Sequence, residues 1–326
     1  PFKDANPDCP DQHRYKAIVP IYKPVRGLHV YSSPDGIHWK PMSDKAVITR
    51  GYFDSQNLAF WDASTGQYRE YHRTFVNGVR AIMTGTSADF IHWTEPVLLK
   101  YQDGIPVQHL YTNAVQPYQR APHLLIGFPT RYLPDQGSRV EPTLMVSRNG
   151  LKFHRWLEAV VPESAPKDRN GNRSNYMTWG HVEIPGRPNH LSVYATEAYY
   201  TGPDSRVRRF EYRKDGFVSI RGGTKGGQLP TNPITLGRLA ERLTLNYQAA
   251  ENGAIRVAIV DPNGKPISGF ALSDCKPLKD DSLRHNVAWK DGADISALRK
   301  KHKIVRLRFE LRNADLYALQ FQPWLR

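Results

Sequence analysis

The sequence predicts an all-β protein: a β-propeller over residues 1–226, with four blade repeats visible, followed by a C-terminal β-sandwich over 227–326. Three observations carry this. A short stretch, Ser33-Pro34-Asp35-Gly36-Ile37-His38-Trp39, recurs as Ser87-Ala88-Asp89-Phe90-Ile91-His92-Trp93, again as Ser147-Arg148-Asn149-Gly150-Leu151-Lys152-Phe153, and in worn form as Arg213-Lys214-Asp215-Gly216-Phe217. Each copy follows an alternating apolar run and precedes another apolar segment, the pattern of a β-hairpin whose turn needs left-handed backbone. The aromatics that close the copies stand at 39, 93, 153 and 217, so the repeat steps are 54, 60 and 64 residues, enough for about four strands per unit. Finally, the repeat stops at the glycine-rich run 222–227, and roughly a hundred residues of short strands and turns follow, which reads as a sandwich.

The elements follow in order. The first repeat offers strands over 14–22, 27–32 and 37–42; its innermost strand is either a degenerate one within 1–9 or lies outside the visible repeat. The second is the clearest, with strands over 56–61, 67–75, 79–86 and 91–96. The third runs 113–118, 123–129, 142–147 and 152–156, and the fourth 176–184, 191–198, 206–212 and 217–220. Between them, 163–174 is rich in Lys, Arg, Asn and Gly and reads as a long surface loop, a kind often functional on a compact scaffold. The sandwich strands are expected over 243–247, 254–260, 286–289, 305–311 and 317–321, with Asp261-Pro262-Asn263-Gly264 as a turn. The basic cluster 299–303 reads as a solvated turn.

Composition sets the bounds. With 40% hydrophobic and 23% charged residues the chain is globular, and no apolar run approaches the ~20 residues that cross a bilayer. The net charge of +14 suits polyanionic partners. Nucleic acid is disfavoured, because the charge is scattered through strand-like segments and no nucleic-acid module appears; a sulfated or uronic polysaccharide would use the same charge. The two cysteines, Cys9 and Cys275, have no metal spacing and read as free thiols. The N-terminus, which lacks an initiator Met and a signal-peptide core, is expected to follow a removed leader or upstream sequence.

Blade geometry separates two faces. The Asp-Gly turns join third and fourth strands and emerge on one face, so Asp35, Asp89 and Asp215 are expected to be turn formers. Entries to the inner strands and loops between second and third strands emerge on the other. That face gathers 53–57, 109–113 and 175–181, together with loops holding Arg131, Tyr132, Arg139, Glu141, and Glu197 to Tyr200 with Asp204 and Arg206. Carboxylates there are candidates for acid and base work on a glycosidic bond: Asp54 as base or nucleophile, Glu197 or Glu141 as general acid. Asn57, Arg73, Tyr111, Asn113, Arg131, Trp179, His181 and Tyr199 are the candidate substrate contacts, since aromatics stack on sugar faces while amides and arginines bind hydroxyls or acidic groups. Each has a structural alternative: Asp54 as a turn cap, Glu141 in a surface ion pair with Arg139, His181 as a core histidine, Trp179 and Tyr199 as packing.

The stretches SSPDGIHW, TSADFIHW and VSRNGLKF, with FDSQNLAFWD and LYTNAVQPY between them, resemble the five-bladed propeller glycosidases of the invertase, levansucrase and arabinanase superfamily, similar to glycoside hydrolase families 32 and 43. They look closest to an uncharacterised planctomycete-type branch of it. The resemblance spans essentially the whole chain and implies a five-bladed propeller, a secreted glycoside hydrolase and a carbohydrate substrate, placed in the periplasm or outside the cell. It requires no cofactor; it admits calcium, though no ligand cluster in the sequence demands one. The turns are also similar to the Asp-boxes of sialidases, whose arginine triad has no match here. The chain departs from the superfamily in two ways. Asp4-Ala5-Asn6-Pro7-Asp8 only echoes the invertase motif, and Asn113 and Thr178 stand where an inner-strand glutamate is expected, so Glu197 and Glu141 are chosen by location alone. The competing readings are a carbohydrate-binding propeller without catalysis and a scaffold that binds a polyanion or another chain.

Overall fold

The computed structural model describes residues 1–161, 175–199 and 205–324. The chain falls into two compact units, Pro1–Val182 with Ser192–Phe210, and Glu183–Leu191 with Glu211–Arg326. Among the described residues it is nearly all β, with one α-helix of six residues. The expected loop 163–174, and the candidate loop residues Tyr200 and Asp204, lie outside the described residues.

In the first unit, two four-stranded antiparallel sheets follow one another in meander order. The first comprises β1 (Phe2–Lys3), β2 (Tyr15–Ile21), β3 (Gly27–Ser33) and β4 (Lys40–Pro41); the second comprises β5 (Leu58–Asp62), β6 (Gln67–Val76), β7 (Val79–Ser87) and β8 (Val97–Leu98). The strand missing from the first repeat is supplied within residues 1–9, by β1, which pairs Phe2 with Lys16. Asp4 follows directly. Its carboxylate is fully buried against Lys16 and accepts a 2.6 Å hydrogen bond from the Tyr68 hydroxyl, so the residue that echoes the invertase motif is spent on fastening this short strand.

The third repeat begins with β9 (Lys100–Tyr101) and β10 (His109–Leu110) and continues through β11 (Gln116–Tyr118), β12 (Ala121–Gly127), β13 (Thr130–Leu133), β14 (Arg139–Pro142), β15 (Met145–Ser147) and β16 (Lys152–Arg155). Its sheet runs β11-β12-β15-β16, and β9 adds to the outer edge in parallel. Residues 131–132 and 139–141, expected in a loop, are strands here. The hairpin of β12 and β15 carries on as β13 and β14, with Arg131 opposite Glu141, and β10 joins its edge. Their alternating Arg-Tyr and Arg-Val-Glu pattern suits a strand, and an ion pair placed directly across the ladder supports the extension. In the fourth repeat, β17 (His190–Glu197) pairs with β18 (Arg206–Arg213). The expected inner strand is reduced to the bridges Met177–Ala195 and Val182–Ser192.

The turns between third and fourth strands repeat the same chemistry. Asp35 Oδ1 accepts from the backbone N–H groups of Ile37 and His38, both at 2.8 Å, and Ser33 Oγ accepts from Gly36 N at 2.9 Å. Asp89 and Ser87 do the same for Ile91, His92 and Phe90, and Asn149 and Ser147 for Leu151, Lys152 and Gly150. Turn formation consumes the carboxylates, as their position in the hairpin implied.

In the second unit, strands that the sequence divides are continuous. The strands β22 (Arg242–Val260) and β24 (Ile304–Gln322) pair along almost their whole length. On the other side of β24 lie β19 (Ile220–Gly222), β20 (Gly227–Pro230) and β21 (Ile234–Thr235), and β23 (Asp281–Asn286) flanks β22. The expected fourth strand of the last repeat thus begins at Ile220 and pairs within this sheet. The strands were split in the sequence because their alternation breaks. Val305, Leu307, Phe309 and Leu311 are buried at period two, then burial resumes at Ala314 and Leu316 on the opposite parity. The register shift between Ala249 and Ala254, facing Asn313 at φ 43°, absorbs the extra residues. The short α1 (Ser296–Lys301) adds Leu298 to a core built on Trp289, Tyr247 and Phe309.

Candidate active site

Asp54 and Arg73 meet because the segment before β5 bridges β6, the Tyr52 N–H donating to the Arg73 carbonyl at 2.8 Å, and a two-residue turn sets what stands beside Arg73. Asn77 and Gly78 have φ of 49° and 78°, the left-handed pair that a tight hairpin requires, so Val76 faces Val79, Phe75 faces Arg80 and Arg73 faces Ile82. With side chains alternating along each strand, Arg73, Phe75 and Arg80 share one face. Asp54 enters from the segment before β5, which is laced from within. Asn57 Nδ2 donates to the carbonyls of Phe53 and Ser55 at 2.9 and 3.0 Å. Ser55 Oγ donates to the Tyr111 carbonyl at 2.7 Å, and Gln56 Oε1 accepts from the backbone of Asn113 and Ala114 at 3.1 and 2.7 Å. Asn113, buried, donates its amide to the Gln56 carbonyl at 3.2 Å. Asn57 and Asn113 therefore act on the backbone and register the entries of two repeats against each other.

Arg73 donates to the Asp54 carboxylate; the arginine side chain is 4% exposed and the aspartate 58%. Burial by itself would raise the Asp54 carboxyl, but the hydrogen bond and charge of Arg73 outweigh it and hold the group below the usual carboxylate range. Asp54 is thus an exposed, ionised carboxylate fixed in orientation by a buried cation. Around it the Arg73 guanidinium lies 5.0 Å from the ring of Tyr111 and 5.4 Å from that of Phe75, while Arg80 lies 4.7 Å from Tyr111 and 5.1 Å from Tyr132. Tyr111 touches Tyr132 and Tyr176 edge-on, with Tyr176 in turn against Tyr199 at 5.7 Å, and Tyr52 packs on Phe75 at 4.8 Å. Arginines and aromatics alternate across this face.

The two glutamates are placed differently. Glu141 is 5% exposed, paired with Arg131 and with Arg139 Nε at 3.6 Å. Glu197 is fully buried at the end of β17, with Arg206 Nε at 2.7 Å and Arg208 at its other oxygen. Glu197 anchors two arginines that alternate along β18 and so lie on the same side, whereas the arginines on Glu141 come from the neighbouring strands β13 and β14. Arg131 is thus occupied by Glu141. His181 is buried and packs 5.3 Å from Tyr118, and burial pushes its imidazole below the ordinary range, so it is neutral near pH 7. Trp179 donates its indole N–H to the Val115 carbonyl at 2.8 Å and packs with the core of Phe2, Leu28 and Phe53. Tyr199 is 40% exposed.

Sequence reasoning missed Arg80, Phe75 and Tyr52. The signal for Arg80 was available: Asn-Gly at 77–78 dictates a hairpin that sets residue 80 opposite residue 75. Among the described residues no three His, Cys, Asp or Glu side chains are grouped to hold a metal ion.

No family model matches this sequence, and no curated protein matches it. The chain is similar to several solved structures. An N-acetylgalactosamine deacetylase from F. plautii, in complex with blood group B trisaccharide, is 13% identical over 57% of this chain and 64% of its own, with a TM-score of 0.38. A β-1,2-mannobiose phosphorylase from Listeria innocua is 12% identical over 58% and 51%, at 0.44, and a glycosyl hydrolase from Bacteroides ovatus 13% identical over 56% and 55%, at 0.38. The chain spans less than two thirds of the length of each, and likenesses this remote assign no activity.

Proposed function

We propose that this protein is a carbohydrate-active enzyme, a glycoside hydrolase for a polysaccharide or oligosaccharide bearing acidic or sulfated groups, acting on the face that holds Asp54. The observation that carries the reading is Asp54 itself, an exposed carboxylate oriented by buried Arg73 beside Tyr111 and Tyr132. A carboxylate kept ionised serves as base or nucleophile, and neighbouring aromatic rings offer faces for sugar stacking. Glu141 and Glu197 are the carboxyls assigned to the acid role. On this reading the four-stranded sheets are blades of a five-bladed-type propeller related to the invertase superfamily, the second unit is its accessory sandwich, and the protein works in the periplasm or outside the cell. The experiment is a polysaccharide-release screen with the wild type and Asp54→Asn. Release by the wild type that disappears in the variant supports the reading; equal release by both sinks it.

A second reading, a carbohydrate-binding protein without hydrolysis, draws on one observation: both glutamates are buried and engaged by arginines, while a general acid must reach the leaving oxygen. Sugar binding without any release by the wild type favours this alternative.

A further inference from the structure

Cations outnumber carboxylates on this face, and Arg80 is one that lacks a counter-charge. Arg73 has Asp54, Arg131 has Glu141, and Arg206 has Glu197, but among the described residues Arg80 makes no ion pair. Its polar contact is with a ring nitrogen: the Arg80 backbone N–H donates to His109 Nδ1 at 3.2 Å, and Nη1 lies 3.3 Å from the same atom. Burial and the nearby Arg80 charge hold the His109 imidazole below its ordinary range against the opposing pull of Asp135, so this partner is an uncharged ring. The guanidinium is held instead by rings, 4.7 Å from Tyr111, 5.1 Å from Tyr132 and 5.4 Å from Phe75. Rings fix its plane without using up its donor edge. Across the shared Tyr111 ring lies Arg73, buried to 3% exposure, whose Nε and Nη1 have no hydrogen-bond partner, and Arg80 Nε is likewise unpartnered. Two guanidinium groups thus share the Tyr111 ring, and of the two only Arg73 is paired with a carboxylate.

We infer that Arg80, on the Tyr111–Tyr132 platform beside Asp54, reads an oxyanion on the sugar, the carboxylate of a uronic acid or a sulfate ester, and so selects charged over neutral saccharides. This deepens the function proposed above and rests on it for the saccharide. A planar guanidinium offers two parallel N–H donors to either oxyanion, the stacked sugar ring covers the site from water, and the unbalanced positive charge is matched only when such a group arrives. Arg80 acts on binding, whereas Asp54 acts on bond cleavage.

The two are therefore tested by different readouts. Titration calorimetry of the whole protein in 150 mM salt would compare trigalacturonate, its methyl ester and a sulfated chondroitin tetrasaccharide. The wild type is expected to bind at least one charged ligand about ten-fold more tightly than the neutral ester. Tighter binding of the sulfated ligand names sulfate as the source, and tighter binding of trigalacturonate names uronate. Arg80→Gln is expected to erase the ratio while keeping affinity for the ester, and Arg80→Lys to restore part of it, since lysine keeps the charge and loses the fork. Near-ultraviolet circular dichroism establishes that both variants fold. Binding of both charged ligands by the wild type no tighter than that of the ester, or a ratio unchanged in Arg80→Gln, overturns the inference. An intact ratio in Asp54→Asn with hydrolysis lost supports both assignments; an intact ratio with hydrolysis unchanged ends the catalytic one alone.

Discussion

Arg73 grips Asp54 from beneath: the cation is buried, the carboxylate is exposed, and the ring of Tyr111 lies 5.0 Å from the guanidinium. Because the folded pKa of Asp54 lies below its unfolded value, the stability that the pair supplies is present above about pH 4 and is lost as pH falls through the folded pKa. With the aspartate largely in solvent, that contribution is small, about 0.2–1 kcal/mol. Arg73→Met, which keeps much of the packing, is expected to raise the Asp54 carboxyl toward its ordinary range. An NMR pH titration of the Asp54 carboxyl carbon reads this directly, and an unshifted midpoint would remove Arg73 as the cause.

Glu141→Gln and Glu197→Gln separate anchoring from acid catalysis. Each leaves arginines without their counter-charge, and removing one member of a buried pair costs about 3–5 kcal/mol when both are fully buried. Arg206 is 46% and Arg208 31% exposed, so Glu197→Gln is expected to cost less, about 1–3 kcal/mol in urea unfolding. Whichever glutamate protonates the leaving oxygen should also lose about 10²–10⁴-fold in rate on a natural glycan while retaining hydrolysis of a nitrophenyl glycoside. If both variants hydrolyse the glycan at the wild-type rate, neither is the acid.

Much of this was legible in the sequence, and the limits have local causes. The Ser-x-Asp turns at 33–36 and 87–90 declare themselves because turn chemistry is short-range, and they located the hairpins. Asp54 was visible through its place before an inner strand. The destination of a long polar side chain was not. Asn113 and Trp179 were expected to meet a substrate, but one binds the Gln56 carbonyl and the other the Val115 carbonyl, partners about sixty residues away that no local pattern reveals. Likewise Arg131 and Glu141 look like loop residues until the hairpin of β12 and β15 is seen to continue past Gly127.

Phe90 tests how far packing overrides backbone preference. It has φ 71° at the turn position that Gly36 and Gly150 fill in the other copies, and its ring is fully buried against Phe2, Tyr68 and Trp93. Left-handed backbone costs a side-chain-bearing residue about 1–2 kcal/mol, which burial of the ring offsets. Phe90→Ala keeps the strain and loses the ring, at about 3–5 kcal/mol. Phe90→Gly loses the ring but relieves the strain, so it should be more stable than the alanine variant by about 1 kcal/mol. Urea denaturation decides it, and alanine ranking above glycine would contradict the strain argument.

Glu70 and His72 supply a pH dependence of the opposite sign. Both side chains are fully buried, with Glu70 Oε2 2.7 Å from His72 Nδ1, while His72 Nε2 donates to the Arg50 carbonyl at 2.9 Å. Burial pushes the Glu70 carboxyl up, and this outweighs the opposing pull of His72. The folded state therefore holds a proton that the unfolded state releases above about pH 4, so this site favours folding at low pH and its contribution declines as pH rises through the folded pKa. With that proton present, Glu70 donates to Nδ1 of the imidazole, whose other nitrogen already serves Arg50. Glu70→Gln offers an amide N–H in the same place and nothing to titrate. It is expected to fold with the wild-type hydrogen bonds and to lose less thermal stability than the wild type between pH 5 and pH 8. Parallel melting curves across that range measure the difference; equal slopes would mean that Glu70 is already ionised in the folded protein at pH 5.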